Sequence, residues 1–378
     1  MCHDPQRLFD DIAAYMKPEL FDLSHPATPP AYFPDLLNEK LHFWFNQYKS
    51  SACEAIDRLI PFENGEKNVT SQRCDSLIQS LKSAVEQYYY GNILGATEIF
   101  NQAMDTGFRD INKLLIIDEG RSFFRARAGV NDSQFDRKDL FHLPFEKRHM
   151  VSTNRYSVPG FPALYLGDST YVCWEEYGRH RLRDVFFSKF ENRRALRMVD
   201  IKLYAEFSLE LFKEADPTKQ LTQIMRFICT YPLTIACTIS VAERSGTFKP
   251  EYIIPQLLLQ YVTRTKDVDG IRFPSSRVKY DKLFKVEAYN YVFPVKTIQR
   301  EGYCSQLKET FALTQPSSLE LEEVIHNPLH PAGFVTGGGS YKGYPTIELV
   351  NGIKSIYNNT SFGKLENILN KRELEALP

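Results

Sequence analysis

Residues 150–177, MVSTNRYSVPGFPALYLGDSTYVCWEEY, constrain the fold more than any other stretch of the chain. Pro159 fixes its own φ and Gly160 supplies the positive φ of a type II turn, so Asn154 to Gly160 predicts a turn. Ala163, Leu164, Tyr165 and Leu166 form a short apolar run closed by Gly167, which predicts a strand. Asp168 or Ser169 can then cap a helix carrying Cys173, Trp174, Glu175 and Glu176. Turn, strand and helix follow one another with almost no spare residues. Three chemically able side chains ride on that unit: Arg155, Tyr165 ten residues later, and Glu176 eleven after that.

Those residue types suit a nucleotide. A guanidinium grips phosphate bidentately, an aromatic face stacks on a heterocycle, and a carboxylate accepts hydrogen bonds from ribose hydroxyls. Each also has an ordinary use. Arginine in a turn bonds backbone carbonyls, a tyrosine on an apolar strand belongs to the core, and Glu175-Glu176 reads equally as a solvated helix face.

Upstream, helical spacing predicts amphipathic helices over Leu36–Tyr48 and Leu77–Tyr88 and a third from Ile93 to Met104. Gly65 and Asn68 mark the loop between the first two. Pro26, Pro29, Pro30 and Pro34 make the region before them an extended arm. This block carries no catalytic motif and reads as a scaffold, a lid or an oligomerisation element. A boundary near Gly107 to Lys113 leads to Leu114–Ile117, a short strand or helix end. Ser122 to Arg127 alternates as a strand does, sending Arg125 and Arg127 to one face and Phe124 and Ala126 to the other. Two arginines on one face call for an anion, or for Asp118 and Glu119 just upstream. Asn131 to His149 predicts a charged lid loop.

Beyond the central unit, Arg179 to Lys189 reads as a basic helix, Ala195 to Ile201 as a core strand, and Leu221 to Ser240 as a buried helix with its turn. Tyr252 to Val262 predicts another helix, with Pro255 in its first turn. Ile271 to Arg277 follows as a strand that Pro274 sends to an edge or a bulge, and Asn290 to Val295 closes the sheet. The tail predicts short helices near Ile347–Tyr357 and Gly363–Leu377. Its Phe334–Ser340 run is glycine-rich but has neither the phosphate-loop lysine nor the dinucleotide glycine spacing.

Composition narrows the classes. With 46 basic and 47 acidic residues the net charge is −1, which argues against a nucleic-acid or membrane-surface binder that works through bulk charge. Seven scattered cysteines with no C-x-x-C pair favour neither a disulfide framework nor a zinc knuckle, and the eight histidines do not cluster with carboxylates. The expectation is a protein without a metal. No apolar run is long enough to span a bilayer and the first residues do not resemble a secretory signal, which together predict a cytoplasmic protein.

The order F-x-R, N-R-Y-x-x-P-G-x-P-x-L-Y-L-G, a helix with Glu, and later G-I-x-F-P-S resembles the RES domain, the toxin half of RES-Xre toxin-antitoxin pairs. The resemblance spans about Phe123 to Pro294. It departs from the family at Asn154, where a glycine usually precedes the motif arginine. It implies an α+β fold related to ADP-ribosyltransferase toxins, with a mixed or antiparallel β core, flanking helices and a helical region before it. The corresponding division is 1–112, 113–311 and 312–378. It implies NAD as the substrate, with Arg125 and Arg155 on the diphosphate, Tyr165 against the nicotinamide, Glu176 as the catalytic carboxylate and Ser275 orienting the ribose or nicotinamide. Adjacent Glu175 and Ser276 are the competing assignments.

The reaction so implied is cleavage of the nicotinamide–ribose bond by a glycohydrolase or phosphorylase, with water or inorganic phosphate as acceptor. The alternatives are ADP-ribosylation of a specific protein and a non-catalytic interaction protein with an inert core. Implied partners are an Xre-type antitoxin and further copies of the chain.

Overall fold

The computed structural model describes residues 10, 13–23, 31–59, 70–108, 114–129, 135–243, 245–326 and 343–377. The prolines at 26, 29 and 30, the Gly65–Asn68 loop and the glycine-rich 334–340 segment lie outside them. The chain groups into two compact units. One takes residues 1–114, 154–156 and 201–261, and the other 115–153, 157–200 and 262–378. The sequence division differs from this, because apolar helices at 201–261 build a core with the N-terminal helices, while the tail adds strands and a helix to the sheet.

The first unit is helical. Phe33–Tyr48, Thr70–Tyr89 and Pro217–Thr238 pack together and bury Leu41, Phe45 and Tyr48 with Ile78, Leu81 and Val85 and with Ile228 and Tyr231. Phe21 stacks on Tyr204 at 4.5 Å between ring centroids, and Tyr231 meets Phe21 edge-on at 4.9 Å. Pro232 lies inside the third helix, where it lacks the N–H that would reach the Ile228 carbonyl. The Cys74 thiol donates to that carbonyl instead, at 3.6 Å.

In the second unit, nine strands of the described residues form one sheet in the order β1 (Leu115–Ile117), β5 (Leu196–Asp200), β6 (Gly270–Pro274), β8 (Tyr289–Pro294), β3 (Ala163–Gly167), β2 (Ser122–Ala128), β4 (Val185–Asn192), β9 (Phe311–Leu313), β12 (Glu375–Ala376). Every pairing is antiparallel except β5 with β6. With its flanking helices and the helical region before it, the chain is α+β, as the resemblance implied. One apolar cluster gathers Phe123, Leu164, Leu166, Tyr291 and Phe293, and another holds Phe124, Ala126, Cys173 and Phe187. The alternation expected of β2 is therefore observed.

Several elements differ from the sequence expectation. Residues 185–192 form strand β4, not a helix, because both its faces are covered and the period of two is lost. β6 is interior, and Pro274 is tolerated as its last residue, while β8 lies between β6 and β3 instead of closing the sheet. The 346–356 segment is a hairpin, β10 (Thr346–Val350) and β11 (Ile353–Ile356), turning at Asn351-Gly352 with Gly352 at φ +79°. β7 (Leu283–Phe284) completes its three-stranded sheet. From residue 135 on, the expected lid is two short 3-10 turns whose Leu140, Phe141 and Phe145 are buried in the sheet core.

Candidate active site

The turn before β3 forms as predicted. Phe161 N donates to Val158 O at 3.0 Å with Gly160 at φ +77°. The helix after β3 runs Thr170–Glu176, and Ser169 is the cap, its hydroxyl accepting from Val172 N at 3.1 Å. Its first turn is held a second time by Glu366, which accepts from Thr170 N at 2.7 Å, Thr170 Oγ1 at 2.9 Å and the Tyr357 hydroxyl at 2.7 Å. Burial pushes the Glu366 carboxyl above the usual carboxylate range in spite of those donors.

At the other end the chain leaves through two left-handed residues, Gly178 at φ +75° and Arg179 at φ +60°. For arginine this conformation is uncommon and has to be held by its contacts. Arg179 has them. Its Nε and Nη2 each donate to Glu175 at 2.9 Å, and its guanidinium covers the Trp174 ring.

The two adjacent glutamates thus have different fates. Glu175 is buried and committed to Arg179. Glu176 is about one-third exposed and points to other strands: its Oε1 accepts from Ser275 Oγ at 2.6 Å and from Asn290 Nδ2 at 2.8 Å. Its Oε2 has the half-exposed Arg277 Nε at 3.7 Å. Ser275 is buried just past β6, with its N–H on Ala288 O, whereas Ser276 is exposed. No motif in the sequence marks Asn290, and its one signal is an amide inside the apolar run YNYVFP.

Arg125 enters from β2, which shares a single register pair with β3, Phe124 with Gly167. Its Nη1 donates to the Tyr165 carbonyl at 3.0 Å. Burial lowers its pKa, although a guanidinium keeps its charge. Among the described residues no carboxylate lies within ion-pairing distance of it, so neither Asp118 nor Glu119 neutralises it. Arg127 goes elsewhere, to the Asp139 carbonyl at 2.7 Å. The Cys173 thiol lies in the field of both Arg125 and Glu176, and burial pushes its pKa well up. Tyr165 is half-buried on β3, and its hydroxyl pairs with Ser157 Oγ at 2.8 Å.

Arg155 belongs to the helical unit. Its Nη1 and Nη2 donate to the Cys237 and Ile239 carbonyls, both at 2.9 Å, at the end of the Pro217–Thr238 helix, and its guanidinium covers Tyr252. This is the turn-bonding use of an arginine. Within the sheet unit, the structure joins Glu176 directly to Ser275 and Arg125 to the backbone of Tyr165. Among the described residues no three His, Cys, Asp or Glu side chains gather as a metal site would need, and no helix is long and apolar enough to cross a membrane.

Fold and site define an α+β protein whose mixed sheet presents a carboxylate held by two neutral donors and a half-buried guanidinium that, among the described residues, has no acidic partner. The family model of the RES domain matches residues 127–294, which take in Arg155, Tyr165, Glu176 and Ser275 and begin two residues after Arg125. A Bacillus subtilis (strain 168) protein named "Putative toxin YopC" is 33% identical over 346 residues, covering 84% of this chain and 73% of that protein. No solved structure matches. The chain belongs to the RES domain family.

Proposed function

We propose that this protein is a toxin-type enzyme that cleaves the nicotinamide–ribose bond of NAD. Family membership and the toxin-named relative support the class. The observation that carries the chemistry is Glu176, a carboxylate held through one oxygen by Ser275 and Asn290. Breaking the glycosidic bond develops positive charge at the ribose C1′, which a fixed carboxylate stabilises. Arg125, a half-buried cation with no acidic partner among the described residues, suits the diphosphate, and the ring of Tyr165 suits the nicotinamide. An antitoxin protein that restrains the enzyme accompanies this reading.

The test is to incubate purified protein with NAD, with and without inorganic phosphate, and to follow nicotinamide and the ADP-ribose product. Free ADP-ribose identifies water as acceptor, a phosphorylated ADP-ribose identifies phosphate, and a labelled protein band identifies a transferase. No loss of NAD under any of these conditions overturns the proposal.

A further inference from the structure

We infer that Asn290 is a positioning residue for Glu176, fixing its carboxylate through Oε1 and leaving Oε2 to face the substrate. This rests on the reading of Glu176 as the working carboxylate. Asn290 sits inside β8, opposite Phe273 of β6 and Gly167 of β3, between two tyrosines buried in the apolar cluster of the sheet. It is itself buried. A buried amide in such a strand costs free energy unless it is hydrogen-bonded, and an aliphatic side chain would satisfy the pattern better. The bond it makes is to Glu176 Oε1, at 2.8 Å.

Ser275 Oγ meets the same oxygen at 2.6 Å from the end of β6. Two neutral donors from adjacent strands therefore fix the plane of one carboxylate. They leave its negative charge uncancelled, where a guanidinium fork such as Arg179 gives Glu175 would share it. Among the described residues Arg277, from the segment after β6, and Cys173, on its own helix, are charged or titratable groups that interact with Glu176, while β8 contributes the neutral Asn290. Arg277 is half-exposed and 3.7 Å from Oε2, so a ligand can displace it.

Two variants test this. Asn290→Ala is expected to lower kcat on the order of tenfold or more with KM nearly unchanged, since a lost orientation acts on the transition state. Asn290→Asp keeps the shape but sets a carboxylate against Oε1. It is expected to be nearly inactive at alkaline pH and to regain activity on acidification, once a shared proton restores the donor, in a range where the wild type gains none. Wild-type kcat in Asn290→Ala, or losses in both variants that only follow the urea unfolding midpoint with no recovery at low pH, would overturn the inference. A wild-type protein silent towards NAD instead overturns the proposed reaction. The contact is then read from the ¹⁵N–¹H resonances of the Asn290 side-chain amide, which Glu176→Ala moves if the bond holds and leaves in place if it does not.

Discussion

Glu175 and Glu176 show how one residue of sequence changes the partners a side chain finds. Both stand at the end of the same short helix, but Glu175 turns inward to Arg179 and Glu176 turns to Ser275 and Asn290. Glu176→Gln is expected to lower NAD turnover by a factor on the order of 10² with the unfolding midpoint unchanged, because a neutral amide cannot balance charge growing at C1′. Glu175→Gln is expected to do the reverse. It breaks a charge-assisted fork and lowers stability by about 1–3 kcal/mol while leaving turnover of the folded fraction near wild type. Urea titration and nicotinamide release on the same two preparations separate the outcomes, and an exchange of phenotypes would move the catalytic assignment to Glu175. Arg125 obeys a different rule, since a half-buried cation with no carboxylate partner among the described residues adds little to the stability of the fold. Arg125→Met is expected to leave the melting temperature equal or higher while NAD binding is lost; a collapse in melting temperature with binding retained would make the arginine structural.

Among the elements, those with an intact period were legible and those with an unusual environment were not. The turn, strand and helix from Asn154 to Glu176 are spelled by Pro159-Gly160, a four-residue apolar run and a serine cap, all local signals. β4 lacks a strand period because it is covered on both faces, and in the last hairpin apolar spacing suggests a helix although Asn351-Gly352 between two apolar runs is a hairpin signal. Arg155 and Glu175 show the limit for the site, since their carbonyl and guanidinium partners are set by tertiary folding. The bond from Cys74 to the Ile228 carbonyl is of the same kind, because nothing in the sequence links a thiol at 74 to a proline at 232. It can be tested as a cycle. Cys74→Val leaves the carbonyl without its donor and is expected to cost about 1–3 kcal/mol. In a Pro232→Ala background, where the helix supplies its own N–H, the same change should cost clearly less. Equal costs in the two backgrounds, measured by urea unfolding, would show that the thiol serves only to fill space.

At the scale of the molecule, the likeness to the Bacillus subtilis relative covers 84% of the chain, well beyond the residues 127–294 of the RES domain. The likeness is therefore not confined to the domain, and within the sheet unit the tail has a visible purpose, since Glu366 holds the start of the helix that carries Glu176. The stability of the sheet unit should carry a mark of its buried histidine. His142 donates from Nδ1 to the Leu143 carbonyl at 2.7 Å and accepts the Cys304 N–H on Nε2 at 2.9 Å, so the folded state needs the neutral ring. Burial, with Arg125 adding to it, lowers its pKa to about 4. A histidine depressed in this way contributes stability that is complete above its unfolded pKa of about 6.5 and is lost as pH falls toward the folded value. Between pH 7 and pH 5 the loss should approach roughly 2 kcal/mol. Asp168 and Glu366, whose pKa values burial raises, act in the opposite sense on acidification, so the wild-type profile alone does not isolate the ring. Comparison with His142→Asn does. The variant is expected to be less stable at pH 7 and to lose less than the wild type on going to pH 5, as followed by urea midpoints at both values. Parallel profiles for the two proteins would mean that His142 does not titrate with unfolding in this range.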